Sequence, residues 1–456
     1  MKILLVRPWV NKHITTVRNY LVGEPLGIIC VGTIMKNLGH EVLLADFMIE
    51  KNGKIEKYLK DFKPDIIGIT SQCSDVVNVT KIAKIAKEFN PNIKVIVGGI
   101  HAMCFPEAFF MPEVDFVFKS TTHENVEKLM NNIENNTLNE RIDGIFSKTL
   151  EFKNDGDFCC NDYIVPDRTI SERYRHKYRY VGFQPCAIIL TAFGCRNRCK
   201  FCIRWHLEGK LQEVPIEEIV DQIENIKEPY IMICDNDFLI HRSRLEKFCD
   251  LLEERNIKKE FVCYGSVNSI LEKPHVVTRL QKNGLKAVIV GIEAFDNDRF
   301  SEYNKPTSVD DNYNAIKILH DNNVACWGSF IVHPDWDKSD FSKMIKYLRD
   351  LKVELCTFSP LVPHPLTPLY EEYKDRLIYT VEDYEKWNFG DVLIRPSKMS
   401  LREYYFAIIK LALKLNGAKH SIQYVRKNFS LKNNISMLFG FKTLFGIYVK
   451  NMLTKK

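Results

Sequence analysis

The residues best suited to chemistry lie in the segment GCRNRCKFC, at 194–202. Its three cysteines, Cys195, Cys199 and Cys202, have a C-x3-C-x2-C spacing among basic residues. Thiolates are soft ligands that suit zinc and iron–sulfur clusters. Three is one ligand too few for a closed tetrahedral zinc site, and it is an odd number for disulfides. The spacing therefore points to a metal centre with one position left to another ligand.

Two kinds of metal centre compete at this segment. His206 lies four residues after Cys202 and would complete a Cys3His structural zinc site. A cubane iron–sulfur cluster held by three cysteines would instead leave one iron open to a small molecule. A two-cluster ferredoxin pattern needs a fourth cysteine and a following proline, and both are absent. The fourteen cysteines occur without a secretory signal, which favours a reducing cytoplasm over a disulfide scaffold.

The N-terminal third alternates apolar runs with amphipathic segments, as buried parallel strands and their covering helices do. The runs that predict strands are KILLVRP, HEVLLADF, DIIGITSQ, NIKVIVGG and VDFVFKS. This alternation predicts an α/β domain over residues 1–146, with a Rossmann-like, doubly wound, mostly parallel sheet. No G-x-G-x-x-G follows the first strand, so a dinucleotide site is not favoured.

Ligands of such sheets bind beyond the carboxyl ends of the strands, where this chain has small and polar residues. The candidate ligand-binding residues are Thr70, Ser71 and Cys73 after one strand, and Gly98, Gly99 and His101 after the next. Glycine lets the backbone approach a bulky ligand closely, and hydroxyls supply short hydrogen bonds. The alternative is that the glycine pair only makes a tight turn, while the cysteine and the histidine are packed core side chains.

A second series of strands and helices follows a linker predicted at residues 147–185. Its six apolar runs begin with AIILTAF and end with CTFSPLVPHP, and helical segments separate them. Six strands at this spacing predict a (β/α)6 partial TIM barrel over residues 186–375. The working end of such a barrel lies at the carboxyl ends of its strands. The cysteine segment directly follows the first of these strands, at that end.

Positive charge is concentrated in the predicted helical region at residues 376–456. From Tyr404 to Lys456 there are ten Lys or Arg and no Asp or Glu, so the net charge of +6 becomes −4 for the rest of the chain. A nucleic-acid-binding face over the whole protein is therefore not expected. The basic amphipathic tail predicts either a cap over the barrel opening or a peripheral contact with an anionic membrane. No apolar stretch predicts a membrane span, and the first residues do not resemble a signal peptide.

The motif C-x3-C-x-Φ-C, with Phe201 as its aromatic residue, resembles the signature of the radical S-adenosylmethionine (SAM) superfamily. The resemblance implies that Cys195, Cys199 and Cys202 hold a four-iron four-sulfur (4Fe-4S) cluster whose open iron chelates SAM. It implies that Phe201 packs beside the adenine. It also implies that an electron from the cluster cleaves SAM to give a 5′-deoxyadenosyl radical. A reductant such as flavodoxin or ferredoxin would supply that electron.

Other segments of the barrel are similar to the same family. CDNDF and VGIEAFD resemble the segments that help to hold the amino group, carboxylate and ribose of SAM, which implies SAM-binding roles for Asp235, Asp237 and Glu293. Each of these carboxylates could alternatively cap a helix. The chain departs from the family at Pro306, which replaces the glycine of an Asn-Lys-Gly motif, and at Leu366, where a glycine is usual.

The first domain resembles the cobalamin-binding domain found in one large branch of this superfamily. The resemblance rests on residues 25–46, 64–71 and 98–107, and it implies that the candidate residues at the sheet edge contact cobalamin. The Asp-x-His-x-x-Gly motif is absent, as is usual in that branch. The loop KSTTHE, at 119–124, replaces the family's Gly-Glu-Gly-Glu, which implies either altered cobalamin contacts or a domain kept as a scaffold.

Together these resemblances predict a cobalamin-dependent radical SAM enzyme, most simply a C-methyltransferase that acts on an unactivated carbon of a small-molecule or lipid substrate. One alternative is a cyclase or rearranging enzyme whose first domain is vestigial. The other is a non-enzymatic binding module stapled by zinc. The predicted location is the cytoplasm, with membrane association where the tail binds lipid, and no nucleic-acid partner is expected.

Overall fold

A computed structural model gives the architecture of the chain. It describes residues 1–10, 21–153 and 162–454. Part of the predicted linker, at 154–161, lies outside these ranges. No helix among the described residues is both long and apolar enough to cross a membrane.

The chain forms two compact units. The first contains the N-terminal strand and Glu24–Lys177, and it also includes Val381–Asn388 from much later in the sequence. The second contains Tyr178–Thr380 and Phe389–Lys456. The first unit therefore draws on two distant stretches of chain, and the second carries the whole cysteine segment.

The first unit is built on a six-stranded sheet. Its strands are β1 (Lys2–Arg7), β2 (Glu41–Asp46), β3 (Ile66–Thr70), β4 (Lys94–Gly98), β5 (Phe116–Phe118) and β6 (Ile145–Ser147). They lie in the order β2-β1-β3-β4-β5-β6, and all pairs are parallel except β5 with β6. The reversal of strand order beside β1 is typical of a doubly wound sheet, which confirms the predicted fold. The short antiparallel β6 has no counterpart in the prediction, because a run of three residues carries little periodic signal.

Five helices accompany this sheet. They are α1 (Leu26–Asn37), α2 (Ile55–Phe62), α3 (Val76–Phe89), α4 (Ile100–Cys104) and α5 (His123–Asn135). The amphipathic pattern explains how each helix meets the core, since α2 buries Ile55 and Leu59, which lie one turn apart. The inner strands are buried on both faces, which explains their nearly continuous Ile, Val and Leu content.

The second unit is built on six parallel strands. They are β7 (Cys186–Ile189), β8 (Tyr230–Ile233), β9 (Glu260–Gly265), β10 (Leu285–Glu293), β11 (Ala325–Val332) and β12 (Leu355–Pro360). In the part of the chain that the structure describes, each pairs only with its neighbours in chain order. Parallel neighbours require a crossover between every two strands, and helices supply it. This is the predicted (β/α)6 partial barrel, and its carboxyl edge collects the loops after all six strands.

Helices surround the barrel strands and form the C-terminal region. The helices of the barrel series are α6 (Arg204–Glu208), α7 (Ile216–Asn225), α8 (Arg242–Glu254), α9 (Val267–Leu271), α10 (Pro274–Lys282), α11 (Asn297–Glu302), α12 (Val309–Asp321), α13 (Lys338–Leu351) and α14 (Pro368–Tyr373). The C-terminal helices are α15 (Leu401–Asn416), α16 (Lys419–Asn428) and α17 (Leu431–Thr454). The helical C-terminus agrees with the predicted fold.

A side chain from the C-terminal region completes a hydrophobic cluster among the barrel strands. Phe429, which follows α16, packs with Phe183, with a distance of 6.0 Å between the ring centroids. The same cluster contains Trp327 of β11 and Met232 of β8. A Cβ on Gly182 would overlap the Phe429 ring, so only glycine fits beneath it. The hydrophobic core of the barrel is thus completed by Phe429, which lies more than 240 residues after the first aromatic residue of this cluster.

Candidate active site

The loop that carries the three cysteines begins at Gly194, directly after the two-residue strand Ala192–Phe193. Gly194 has a φ of 76°, in the left-handed region. A Cβ at this position would overlap the carbonyl of Lys210. Glycine therefore lets the chain turn sharply out of the strand and start the loop beyond the carboxyl end of β7.

Side-chain hydrogen bonds hold both backbone groups of Gly194. Its N–H donates to Glu208 Oε2 at 3.1 Å, and its carbonyl accepts from Asn236 Nδ2 at 2.8 Å. Asn236 also donates to Glu208 Oε2 at 2.7 Å. Arg204 pairs with the other oxygen of Glu208 at 2.7 Å. The start of the loop is thus fastened by α6 and by the residues that follow β8.

The middle of the loop is fastened from the segment after α11. The N–H of Lys200 donates to the carbonyl of Tyr303 at 2.9 Å. Asn304 Nδ2 donates to the carbonyl of Arg198 at 3.0 Å. These bonds fix the backbone on both sides of Cys199, the second cysteine, without using any thiol.

The three thiols differ in burial: Cys199 is buried, whereas Cys195 and Cys202 are half-buried. Burial raises the pKa of Cys199 to about 12, and the nearby Cys202 and Cys195 add to this rise. The sulfurs therefore lie within electrostatic range of one another. Metal binding must displace their protons, since the thiolate is the ligand. Three soft sulfurs on one anchored loop fit the donor set of an iron–sulfur cluster.

The alternative zinc site depends on His206. The His206 ring stacks on Trp205, with 3.5 Å between the centroids, and Trp205 Nε1 donates to the carbonyl of Cys199 at 3.0 Å. Within residues 1–10, 21–153 and 162–454, no three His, Cys, Asp or Glu side chains are arranged to hold a metal ion. This holds for the three cysteines of the loop as well as for a Cys3His set, so the fit to a cluster rests on the donor chemistry of the thiols and on the anchored loop.

The basic residues of the loop all have partners within the protein. Arg196 donates to Ser269 Oγ at 2.9 Å, and Lys200 pairs with Glu372 at 3.2 Å. The guanidinium of Arg198 lies over the Trp205 ring, 5.4 Å from its centroid. These contacts fix the loop to the barrel, and the charges of Arg196 and Arg198 act electrostatically on Cys195.

Glu293, at the end of β10, forms an ion pair with Lys305 that was not predicted from the sequence. Lys305 Nζ lies 3.0 Å from Glu293 Oε1 and donates to the carbonyl of Gly291 at 2.6 Å. Both side chains of the pair are 10% exposed. Glu293 has a φ of 60°, a strained value for a residue with a side chain. Lys305 also acts electrostatically on Cys199, which places this pair beside the cysteine loop.

Asp235, predicted to bind SAM, uses both carboxylate oxygens inside the protein. Oδ1 accepts from the N–H of Thr191 at 2.6 Å and from that of Ala192 at 3.2 Å. Oδ2 accepts from the Thr191 hydroxyl. Burial raises the pKa of Asp235 to about 6, although these donors act against the rise. The carboxylate ties the chain after β7 to the end of β8, and its contact with SAM stays a prediction.

Asp237 is linked to the cysteine loop through a serine that belongs to no motif. Asp237 Oδ2 accepts from the Ser269 hydroxyl at 2.7 Å, and Ser269 Oγ accepts from Arg196 at 2.9 Å. Asp237 Oδ1 accepts from the N–H of Leu239 at 3.1 Å. This relay positions the loop from α9. A role for Asp237 in binding SAM itself stays a prediction.

Phe201 is half-buried against Tyr303, with 5.4 Å between the ring centroids and an edge-to-face orientation. Behind Tyr303 lies a polar network: His333 Nε2 is 3.0 Å from Glu302 Oε1 and 3.1 Å from the hydroxyl of Tyr373. Although burial opposes it, hydrogen bonding to His333 lowers the pKa of Glu302 to about 2. The network gives the aromatic residue of the motif a rigid support. Its contact with adenine stays a prediction.

At the carboxyl edge of the first sheet, Ser71 joins the ends of β3 and β4. Its N–H and its hydroxyl donate to the carbonyl of Gly98, at 2.8 and 2.7 Å. Gly99 has a φ of 95°, and a Cβ there would lie 2.6 Å from the Ser71 nitrogen and 2.7 Å from Thr70 Oγ1. Gly99 is therefore required by the turn. A Cβ on Gly98 would meet only Phe118, at an ordinary contact distance of 3.5 Å, so the turn itself does not require glycine at this position.

The other two candidates at this edge are covered by the segment Val381–Asn388. The thiol of Cys73 donates to the carbonyl of Trp387 at 3.2 Å. His101 is 3% exposed, and its ring lies 4.8 Å from that of Tyr384, measured between centroids. Nothing in the sequence between residues 73 and 101 signals this cover. Cobalamin contacts by the six predicted residues stay a prediction.

The buried carboxyl of Asp75, beside this edge, predicts a pH dependence of stability. Burial raises its pKa to about 6, and Glu385 adds to the rise. Because the folded-state pKa is above the unfolded value, the stabilising contribution is present below about pH 4 and is lost as the pH rises through 6. Asp75→Asn removes this loss, so we expect it to raise the free energy of unfolding by about 2 kcal/mol near pH 7. Thermal denaturation at several pH values measures the effect, and a gain that does not shrink towards pH 4 would contradict it.

Two protein families match separate parts of the chain. Residues 189–348 match the family described as the Radical SAM superfamily, and residues 13–129 match the B12 binding domain. The first range contains the cysteine loop, Asp235, Asp237 and Glu293. The second contains all six candidates at the edge of the first sheet.

Curated proteins resemble the chain over most of its length. It is 24% identical to hopanoid C-3 methylase of Methylococcus capsulatus, over 90% of this chain and 79% of that protein. It is 27% identical to bacteriochlorophyllide d C-8(2)-methyltransferase of Chlorobaculum tepidum, over 76% of each chain. It is 25% identical to anaerobic magnesium-protoporphyrin IX monomethyl ester cyclase of Rubrivivax gelatinosus, over 80% of this chain and 68% of that protein.

Solved structures share the fold across both units. One is the cobalamin-dependent SAM radical enzyme OxsB with aqua-cobalamin and SAM bound, with a TM-score of 0.71 at 16% identity, over 98% of this chain and 71% of that chain. Another is the radical SAM methyltransferase TsrM from Kitasatospora setae, with cobalamin and an iron–sulfur cluster bound. Its TM-score is 0.67 at 13% identity, over 97% of this chain and 99% of that chain.

Proposed function

Because the chain belongs to the radical SAM superfamily and carries a B12-binding domain ahead of its barrel, we propose that it is a cobalamin-dependent C-methyltransferase of a largely apolar molecule. The chain is an enzyme, and its cofactors are a 4Fe-4S cluster, SAM and cobalamin. The observation that carries the proposal is the anchored loop of three cysteines at the carboxyl end of a six-stranded parallel barrel, in a chain whose first sheet is a B12-binding domain.

We assign the cluster ligands to Cys195, Cys199 and Cys202. Their loop is fastened at Gly194 and again at Lys200, so its backbone is held by the protein alone, and the thiols need only side-chain rotation to meet at a cluster. When bound, the three cofactors supply radical generation and a methyl group, and the protein supplies their placement and the exclusion of water.

Around this loop the acidic residues take two different roles in the proposal. Glu293, paired with Lys305, provides an acceptor for an ammonium group or a ribose hydroxyl of SAM. Asp235 and Asp237 act as positioning residues, because their oxygens bind Thr191 and Ser269 and thereby support the loop. Phe201 offers its ring to the adenine while Tyr303 supports its other edge.

The proposed substrate class follows from the names of the relatives. Hopanoids and bacteriochlorophyllides, which the names of two relatives specify, are both large ring systems with extensive apolar surface. We therefore propose an apolar polycyclic skeleton as the acceptor of the methyl group.

One observation favours a second candidate function. The relative from Rubrivivax gelatinosus is a cyclase, and it is as similar to this chain as the methyltransferases are. In that case the same loop and the same cofactors would close a ring instead of transferring a methyl group. The two functions differ in what becomes of SAM.

Anaerobic reconstitution distinguishes these functions. We expect about four irons per chain, an absorption band near 400 nm and retention of added hydroxocobalamin after gel filtration. With a low-potential reductant, SAM should yield 5′-deoxyadenosine, and it should yield S-adenosylhomocysteine only when hydroxocobalamin is present. 5′-Deoxyadenosine without S-adenosylhomocysteine, in the cobalamin-loaded protein, would contradict methyl transfer and favour the cyclase. A protein that binds zinc and leaves SAM intact would contradict both.

A further inference from the structure

The carboxyl edge of the first sheet is crossed by a segment from a distant part of the sequence. We call residues 381–388 the strap; it belongs to the first unit although the chain on either side of it belongs to the second. The strap has a short 3-10 turn at Tyr384–Lys386, closed by a bond of 3.0 Å from the N–H of Trp387 to the carbonyl of Tyr384. It lies 252 residues beyond the last residue that matches the B12-binding domain, so no comparison assigns it a role there.

Two contacts place the strap directly over the loops that follow β3 and β4. The thiol of Cys73, after β3, donates to the carbonyl of Trp387 at 3.2 Å. The ring of Tyr384 packs edge-on against His101, after β4, and lies 6.0 Å from the ring of Phe105. Trp387 is 6% exposed, so this end of the strap is buried in the first unit.

The strap meets the place where a ligand of this sheet must lie. Parallel sheets bind their ligands outside the carboxyl ends of the strands, at the point where strand order reverses, and here the reversal lies beside β1 and β3. A corrin ring is broad and flat, and it needs apolar surface against its face as well as the backbone of the sheet edge. The strap places the phenol ring of Tyr384 and the backbone carbonyl of Trp387 at that position.

We infer that the strap forms the outer wall of the cobalamin site, with Tyr384 and Trp387 packing on the bound corrin and slowing its release. This inference rests on the proposed use of cobalamin. In the structure the strap contacts Cys73 and His101 directly, so it must shift outward when the ring enters and then close on it. A wall supplied from outside the B12-binding domain makes retention of cobalamin depend on residues that follow the barrel strands.

The test is the binding of hydroxocobalamin to the reconstituted full-length protein, followed through the corrin absorbance of the bound fraction and through the dissociation rate on dilution. Tyr384→Ala and Trp387→Ala should each weaken binding about tenfold and speed release by a similar factor, because each removes a packed aromatic side chain. Tyr384→Phe keeps the ring and should bind like the unaltered protein. Phe389→Ala is the matched control: it removes an aromatic residue next to the strap that is 74% exposed.

Hydrogen exchange gives a second measurement that does not depend on the variants folding. Added hydroxocobalamin should slow exchange of the strap amides at 381–388 in the unaltered protein. Unchanged exchange there, or equal affinity and release for Trp387→Ala and the unaltered protein, would overturn the inference. An unaltered protein that retains no cobalamin would instead overturn the proposed function, and the 400 nm band of the cluster shows in each variant that the second unit is intact.

Discussion

Replacing Cys199 by alanine should abolish the iron–sulfur cluster. Cys199 is the most buried of the three cysteines, and its backbone carbonyl accepts a hydrogen bond from Trp205 Nε1. Two thiols cannot hold a cubane stably, since each missing ligand exposes another iron to solvent. We expect the iron content of Cys199→Ala to fall from about four per chain to near zero, together with the 400 nm band. Cleavage of SAM should fall below detection, because it needs the electron from the cluster.

The control for this variant is another buried cysteine outside the loop. Cys249, on α8, is fully buried and belongs to the helical layer of the barrel. Cys249→Ala should keep the iron, the absorption band and the cleavage of SAM, with a loss of stability of about 1 kcal/mol from the small cavity. If Cys199→Ala retained the cluster, the assignment of the ligands would be wrong. If both variants lost it, the effect would come from general destabilisation.

Replacing Glu293 by alanine should weaken SAM binding and also destabilise the barrel. A charged hydrogen bond to SAM contributes about 1.5–3 kcal/mol, so its loss should lower the affinity by a factor of about ten to one hundred. The same change leaves the buried Lys305 ammonium without its carboxylate, which should cost about 3 kcal/mol in free energy of unfolding. Equilibrium dialysis with SAM and thermal denaturation measure the two effects.

Glu293→Gln separates the two effects. The glutamine amide has the same volume and can still accept a hydrogen bond from Lys305. The melting temperature of Glu293→Gln should therefore be higher than that of Glu293→Ala and closer to that of the unaltered protein. It has no charge to offer an ammonium group, so SAM binding should stay weakened. SAM binding at the original affinity in Glu293→Gln would show that the charge of this carboxylate does not hold the ammonium group of SAM.

Strands and helices were predictable where burial imposes a recognisable pattern of apolar residues on the sequence. The inner strands are covered on both faces, so runs such as KILLVR and KVIVG stand out without alternation. The cysteine spacing indicated a metal centre because ligation fixes both residue type and spacing, and the assignment of the three thiols stays a prediction. Gly99 was singled out from the sequence as a place where a ligand could approach the backbone. In the structure, glycine is required there because a side chain would overlap Ser71 and Thr70.

Other features depend on contacts between distant residues, which local patterns do not record. Asp235 carries a family signature, yet its oxygens are taken by Thr191 and Ala192, more than forty residues earlier. The pairing of Lys305 with Glu293 could have been sought in the Asn-Lys segment that resembles the family motif. The strap offers no such signal, because a short loop with two aromatic residues is common in any sequence.

Phe429 has a consequence for how the protein is made. A ribosome synthesises the chain from its N-terminus, and the segments that emerge first begin to fold while later ones are still absent. All six barrel strands precede residue 361, so they leave the ribosome before the aromatic ring that fills the space above Gly182. During that interval Phe183 and Trp327 lack a neighbour and expose apolar surface. This aromatic cluster of the barrel therefore cannot close until residue 429 has been synthesised.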